Sequence, residues 1–243
     1  MRQFLTIFLA FSISSLVAQP DYAAYDAFLK KFVNSSGKVN YAGIQKNKAA
    51  LDNIVLQFSQ GAPEQKWKKE EVMSYWINVY NAYTLKLIVD NYPIKSITAL
   101  DAEKTWDVKR IPIGKEKCSL NQIENDFLRA KYNDPRMHFA VNCAAKSCPP
   151  LWNEAFVANK LEQQLENRTR KYISSAQIQI TENNVKLPKI FDWYAADFMS
   201  KAEFNSSNTK RLALIKFLKK YSKVNISSDA TVSFLDYDWS LNN

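Results

Sequence analysis

The sequence predicts an α+β fold: a single domain of helices packed on a small, mostly antiparallel sheet. Apolar residues recur at helical spacing over long runs, while shorter stretches alternate with period two. No internal repeat, Gly/Ser linker or composition break divides the chain. Of 243 residues, about 225 remain once an apolar leader is set aside, enough for one large domain with its own core.

Residues 1–18 read as a secretory signal peptide. Met1-Arg2 is positive, Phe4 to Val17 is almost wholly apolar, and Ser14, Ser15 and Ala18 supply small residues before the polar start at Gln19-Pro20. An uncleaved N-terminal anchor is the competing reading. No later stretch reaches the ~18 uncharged apolar residues of a membrane helix. The remaining domain, 21–243, is thus expected to be exported, periplasmic or extracellular, with no transmembrane segment after signal removal. Hydrophobic residues make up 47% of the chain and there are only four glycines, which excludes low complexity and disorder. The formal charge of +9 is scattered, with clusters at Lys66-Trp67-Lys68-Lys69 and from Lys216 to Lys223. For an exported chain this suits solubility, or a peptide or anionic cell-envelope polymer as partner, rather than nucleic acid.

The pattern Tyr22, Tyr25, Phe28, Leu29, Phe32 predicts a helix over 21–33, followed by a short extended piece at Lys38 to Tyr41. Lys46 to Phe58 is a second helix, broken by Gly61-Ala62-Pro63. A third, the clearest, spans about Lys68 to Asn91, with Glu70 and Glu71 in its first turns and Pro93 beyond its end. It carries Asn78 and Asn81 among aromatics. A buried amide needs partners for both its ends, so these two either tie down loop backbone or orient a catalytic group. A hairpin is expected within 94–114. Ser119 is placed as N-cap of a short helix to Arg129, with Glu124 on its flank. Met137 to Asn142 reads as a buried strand, and Ser147 as the cap of a helix opening at Cys148-Pro149-Pro150, continuing over Phe156 to Ile173. Gln177 to Ile180 and Asn184 to Leu187 form a hairpin. Lys210 to Tyr221 is an amphipathic helix with its lysines outside.

The chemistry concentrates in Arg136 to Trp152, which holds the only histidine, His138, and two of the three cysteines, Cys143 and Cys148. Glycines at 37, 43, 61 and 114 cannot build a phosphate loop, so no nucleotide cofactor is expected. No metal site is expected either: a set from Cys143, Cys148 and His138 has no standard zinc spacing. In an oxidising compartment the three cysteines allow one disulfide and one free thiol, or three thiols, and Cys118 could pair with either of the others. Thiol chemistry requires a base, and His138 is the sole imidazole. Residues five apart on a straight strand point to opposite faces, so Cys143 meets His138 only if the strand ends or bulges near Asn142. Cys148, in a helix first turn, would have its thiol pKa lowered. The alternative is a structural disulfide beside a satisfied, partly buried histidine.

Tyr75-Trp-Ile-Asn-Val-Tyr-Asn-Ala82, Ser119-Leu-Asn-Gln-Ile-Glu124 and His138-Phe-Ala-Val-Asn-Cys-Ala-Ala-Lys-Ser-Cys-Pro149 resemble the family called domain of unknown function 547. The resemblance covers roughly 68–173. Trp193-Tyr194…Asp197-Phe198 and Tyr237 to Asn242 also look like its longer members. A weaker resemblance is to papain- and transglutaminase-type thiol enzymes, although the long helix here bears Asn78 and Asn81 and no cysteine. Two functions are therefore expected. One is a cysteine-dependent hydrolase or acyl transferase on peptide or cell-envelope amides. Its nucleophile is Cys143, its base His138 and its orienting group Glu124, with Asn78 or Asn81 at the oxyanion. The other is a non-catalytic cell-envelope binding or scaffold domain with a structural disulfide, in which Cys148 and exposed indoles such as Trp193 line the ligand site.

Overall fold

The structure, a computed structural model, describes residues 20–199 and 207–243. The expected signal peptide lies outside them. Four helices open the chain: α1 (Ala23–Phe32), α2 (Tyr41–Lys46), α3 (Lys48–Ser59) and α4 (Lys69–Asp90). Where an extended piece was expected before the second helix, Val33 and Val39 form a single bridge, and Asn40 caps α2 by accepting from Gly43 N at 2.8 Å. At Gly37 (φ +81°) the backbone lies against Pro150 and Leu151 so closely that a Cβ would collide with both, so only glycine fits there.

Helix α4 is the axis of the fold. Tyr75, Ile77, Val79, Ala82 and Ile88 are almost fully buried, and burial extends around every side of the helix. A helix apolar all round belongs inside a core. Here α2 and α3 pack on one flank, and on another lies the helical rod that follows the hairpin β1 (Ile111–Ile113) and β2 (Glu116–Cys118). The hairpin thus forms later in the chain than expected, turning at Gly114 (φ +59°). The rod comprises α5 (Leu120–Gln122), a π segment over Ile123–Arg129 and α6 (Ala130–Tyr132). Ser119 caps it as expected: its hydroxyl accepts from Gln122 N at 3.1 Å, and Gln122 returns a bond to Ser119 N.

Two expectations fail in the next stretch, each for a local reason. Residues 137–142 are not a strand. Asp134 caps a tight 3-10 turn by accepting from Arg136 N at 3.0 Å, and Pro135 starts the turn Pro135–Phe139 that carries His138. No helix opens at Cys148 either. Pro149 and Pro150 bring no N–H, and side chains take the carbonyls of this region: Asn142 that of Pro149, Arg168 that of Pro150, Gln164 that of Ala155 and Asn78 that of Phe156. The helix α7 begins only at Leu161 and runs to Ile173.

The remainder is β3 (Gln179–Ile180), β4 (Asn184–Leu187), α8 (Ile190–Trp193), α9 (Ser207–Lys219) and β5 (Thr231–Phe234). The expected hairpin β3–β4 forms, and β5 adds to β4 in parallel. The architecture is α+β, with helices dominating and small sheets at the periphery. Two large apolar clusters fill it, one around α4 and one joining α7, α8, α9 and the β3–β4–β5 sheet. Met137 belongs to the first and Phe139 to the second, so His138 sits on the seam. Among the described residues, no helix is long and apolar enough to cross a membrane.

Candidate functional site

A cavity of about 300 Å³ opens along this seam. The π segment supplies Glu124, the 3-10 turn His138, the following loop Cys143 and Cys148, α8 Trp193, and the C-terminal stretch Tyr237 and Trp239. Half of the lining residues are aromatic, counting the imidazole.

His138 is 3% exposed and its Nε2 lies 2.6 Å from Asp197 Oδ2, a partner 59 residues away. An ionised carboxylate only accepts, so Nε2 carries the hydrogen in this pair. Arg129 approaches the same carboxylate with Nε at 2.6 Å and a terminal nitrogen at 3.0 Å, a two-pronged contact. Burial alone would raise the Asp197 pKa, but the hydrogen bonds from His138 and Arg129 prevail and hold it down at about 2. The Tyr194 ring stacks on the imidazole at 4.3 Å and lies 4.7 Å from the Arg129 guanidinium. The histidine is therefore fixed in orientation by Asp197, whereas the sequence assigned that role to Glu124.

Glu124 instead sits among tyrosines. Its carboxylate lies in the cavity wall with the phenols of Tyr80, Tyr194 and Tyr237 and makes no ion pair among the described residues. Burial first, and the Glu124 charge second, push the phenols of Tyr80, Tyr194 and Tyr237 well above their ordinary range, so all three stay protonated near neutral pH. The helix geometry explains why Glu124 and Arg129 share this region. In the π segment backbone bonds run i→i+5, as in Ala130 N to Asn125 O, so residues five apart lie nearly above one another. An ordinary α-helix would have turned them apart.

Cys143 and Cys148 are joined as a disulfide, with Cα atoms 6.4 Å apart, within the usual range for a bridge. The Cys143 N–H points at Cys148 Sγ (3.1 Å), and the Tyr237 hydroxyl lies 3.2 Å from Cys143 Sγ. The loop is clamped from outside by the C-terminal stretch: Lys146 N and Ser147 N donate to the carbonyls of Ser240 and Asp238, and Asn242 N to that of Ala144. Ala144 takes a positive φ of 64°, a conformation held by Asn142 Oδ1 on its N–H at 2.8 Å. Beneath the loop, Arg168 is buried, has no carboxylate partner among the described residues, and donates to the carbonyls of Phe139 and Pro150. Burial draws its pKa down to about 10. Cys118 stands apart, buried in β2, with burial raising its thiol to about 11. It pairs with neither of the other two.

Asn78 and Asn81 do not line the cavity. Asn78 brackets Phe156, donating to its carbonyl at 2.7 Å and accepting from its N–H at 2.9 Å. Asn81 donates to the Ala140 carbonyl and accepts from Asn142 N, both at 2.9 Å. Of the two roles open to these amides, tying down loop backbone is the one the geometry supports. An oxyanion role has no support in their placement. Trp193 does line the cavity and is 49% exposed, stacked on Trp239 at 5.9 Å and against Tyr237 at 4.8 Å. The sequence reading missed Asp197, Arg129, Tyr194 and Tyr237 as site residues. The only signal for them was that Tyr194, Asp197 and Tyr237 lie in the C-terminal motifs that carried the resemblance.

The fold and site thus define an α+β protein with an aromatic-walled cavity, a buried carboxylate–histidine–arginine cluster and a disulfide in its wall. Residues 64–173 match the model of the family described as "Protein of unknown function, DUF547". This segment contains Glu124, Arg129, His138, Cys143 and Cys148, while Trp193, Tyr194, Asp197, Tyr237 and Trp239 come from beyond it. No curated protein and no solved structure matches the chain.

Proposed function

We propose that the chain is an exported binding domain whose seam cavity takes a small group of a peptide or cell-envelope polymer, with the Cys143–Cys148 bridge as a structural element of the cavity wall. The observation that carries this is the cavity's lining. Apolar aromatic faces surround a few convergent polar groups, the usual composition of a ligand pocket. The bridge leaves no thiol facing the cavity, and His138 has its Nε2 committed to Asp197. The half-exposed indole of Trp193 at the rim suits stacking on a ligand that extends outward. Co-sedimentation with purified cell-wall polymer tests the reading. The wild-type protein sediments, Trp193→Ala with Trp239→Ala releases it, and His138→Ala retains affinity so long as it folds. A large loss in folded His138→Ala, or no sedimentation of the wild type, counts against it.

One observation favours a second reading, the thiol hydrolase or acyl transferase. Cys143 and His138 face one cavity, and Asp197 replaces Glu124 as the group orienting the imidazole. This chemistry requires the bridge to be reduced. Its signature is amide hydrolysis that appears with a dithiol reductant and disappears in both Cys143→Ala and His138→Ala.

A further inference from the structure

The electrostatics of the cavity identify the class of ligand more narrowly, an inference that rests on the binding reading above. Glu124 is 7% exposed, faces the cavity, and has no Lys, Arg or His nitrogen within ion-pair distance among the described residues. Arg129, the nearby cation, is answered by Asp197. Its neighbours in the cavity wall are the phenols of Tyr80, Tyr194 and Tyr237, whose oxygens can accept a hydrogen bond but carry no charge to answer the carboxylate. The Tyr237 hydroxyl lies 3.2 Å from Cys143 Sγ, a disulfide sulfur with no hydrogen to donate, so the Tyr237 oxygen keeps its lone pairs for a ligand's donor. This end of the cavity is consequently one buried negative charge with phenol oxygens beside it. The walls agree in sign, since the faces of Trp193, Tyr237 and Trp239, packed 4.5 to 5.9 Å apart, present the negative side of their quadrupoles.

We propose that the group bound in the seam cavity is a primary ammonium, which donates to Glu124 and to the oxygens of Tyr194 and Tyr237 while its alkyl stem lies along Trp193 and Trp239. Such a group brings three donors and no acceptor, the complement of what the cavity offers. A sugar hydroxyl or an amide would satisfy fewer of these acceptors and leave the carboxylate's charge unanswered. A quaternary ammonium would meet the aromatic walls but donate nothing. At about 300 Å³ the cavity fits an aminoalkyl side arm and not the polymer that bears it.

The test is a tryptophan-fluorescence titration of the native, unreduced protein with 1,5-diaminopentane, its N,N′-diacetyl derivative and N-acetylglucosamine. The diamine is expected to bind, with the diacetyl derivative and the sugar at least ~10-fold weaker. Glu124→Gln should lose at least ~10-fold for the diamine while its thermal transition stays cooperative. Comparing the diamine with its acetylated form on the wild type needs no variant, so misfolding of Glu124→Gln leaves the test intact. Equal affinity for the acetylated derivative or the sugar, or full diamine affinity in folded Glu124→Gln, overturns the ammonium assignment and leaves the binding reading standing. No response to any probe up to about 10 mM also overturns it, and co-sedimentation with cell-wall polymer then decides the binding reading separately.

Discussion

Tyr75 and Trp193 stand for two differently built regions of the molecule. Tyr75, on α4, is fully buried, donates its hydroxyl to the Phe58 carbonyl at 2.7 Å and packs edge-on against Trp76, Trp67 and Phe58. Much of its setting comes from neighbouring helices of one long apolar pattern. Trp193 is half exposed, and its ring partners Tyr237 and Trp239 come from the far C-terminal end. Around it no element is long, and the geometry is held by side chains bonded to backbone. The core obtains stability from burial, whereas the seam maintains a cavity by satisfying polar groups individually. Substitutions in the first region should therefore affect folding, and those at the rim of the second should affect ligand.

The largest effect should come from Tyr75→Ala, which empties a core site and leaves the Phe58 carbonyl without its partner. A loss of about 3–5 kcal/mol in urea denaturation is expected. A loss under about 1 kcal/mol would mean that α4 is not the centre of the core. Next are the two amides, which sharpen the comparison because they share a helix but serve different regions. Asn78→Ala and Asn81→Ala should each cost about 2–3 kcal/mol, since each exposes a buried donor and a buried acceptor. Only Asn81→Ala frees Ala140 and Asn142, so only it should also impair ligand binding.

Asp197→Asn should cost about 2 kcal/mol at neutral pH by leaving Arg129 and His138 short of an acceptor charge. The pH dependence has a definite sign. The folded Asp197 pKa lies below its ordinary value, so its contribution is complete above the unfolded carboxylate pKa and is lost as pH falls toward about 2. Denaturation midpoints measured at about pH 7, 4 and 2.5 should fall less steeply for Asp197→Asn than for wild type. Parallel curves would remove Asp197 from the stabilising set. The smallest stability effect belongs to Trp193→Ala, at most about 0.5 kcal/mol, together with a loss of sedimentation with cell-wall polymer. A change of several kcal/mol there would reveal a core residue and break the contrast.

Legibility followed the same division. Three of the four N-terminal helices (α1, α3 and α4), the Ser119 cap and the β3–β4 hairpin could be read because each depends on residues within a turn or two of one another. So could the concentration of chemistry at 136–152. What could not be read depended on distance or competition. Residues 137–142 have the apolar content of a strand, but Asp134 and Pro135 set a tight turn first. Residues 148–157 have helix-compatible composition after two prolines, yet four side chains elsewhere hold their carbonyls in an irregular path. Glu124 was expected to orient His138, whereas Asp197 makes that contact. An α-helical reading of 120–129 does not bring Glu124 and Arg129 together, and nothing in local pattern brings Asp197 to a histidine 59 residues before it. The choice between a bridge and free thiols was open from spacing alone, since five residues of separation permit both.

The most direct test is the state of the cysteines in native, unreduced protein, read by alkylation at neutral pH followed by peptide mass. A binding cavity walled by a structural bridge requires Cys143 and Cys148 to be linked to each other, with the buried Cys118 thiol unlabelled until denaturant is added. Rapid alkylation of Cys143 that slows in His138→Ala would contradict it, and would assign the cavity to an activated thiol instead.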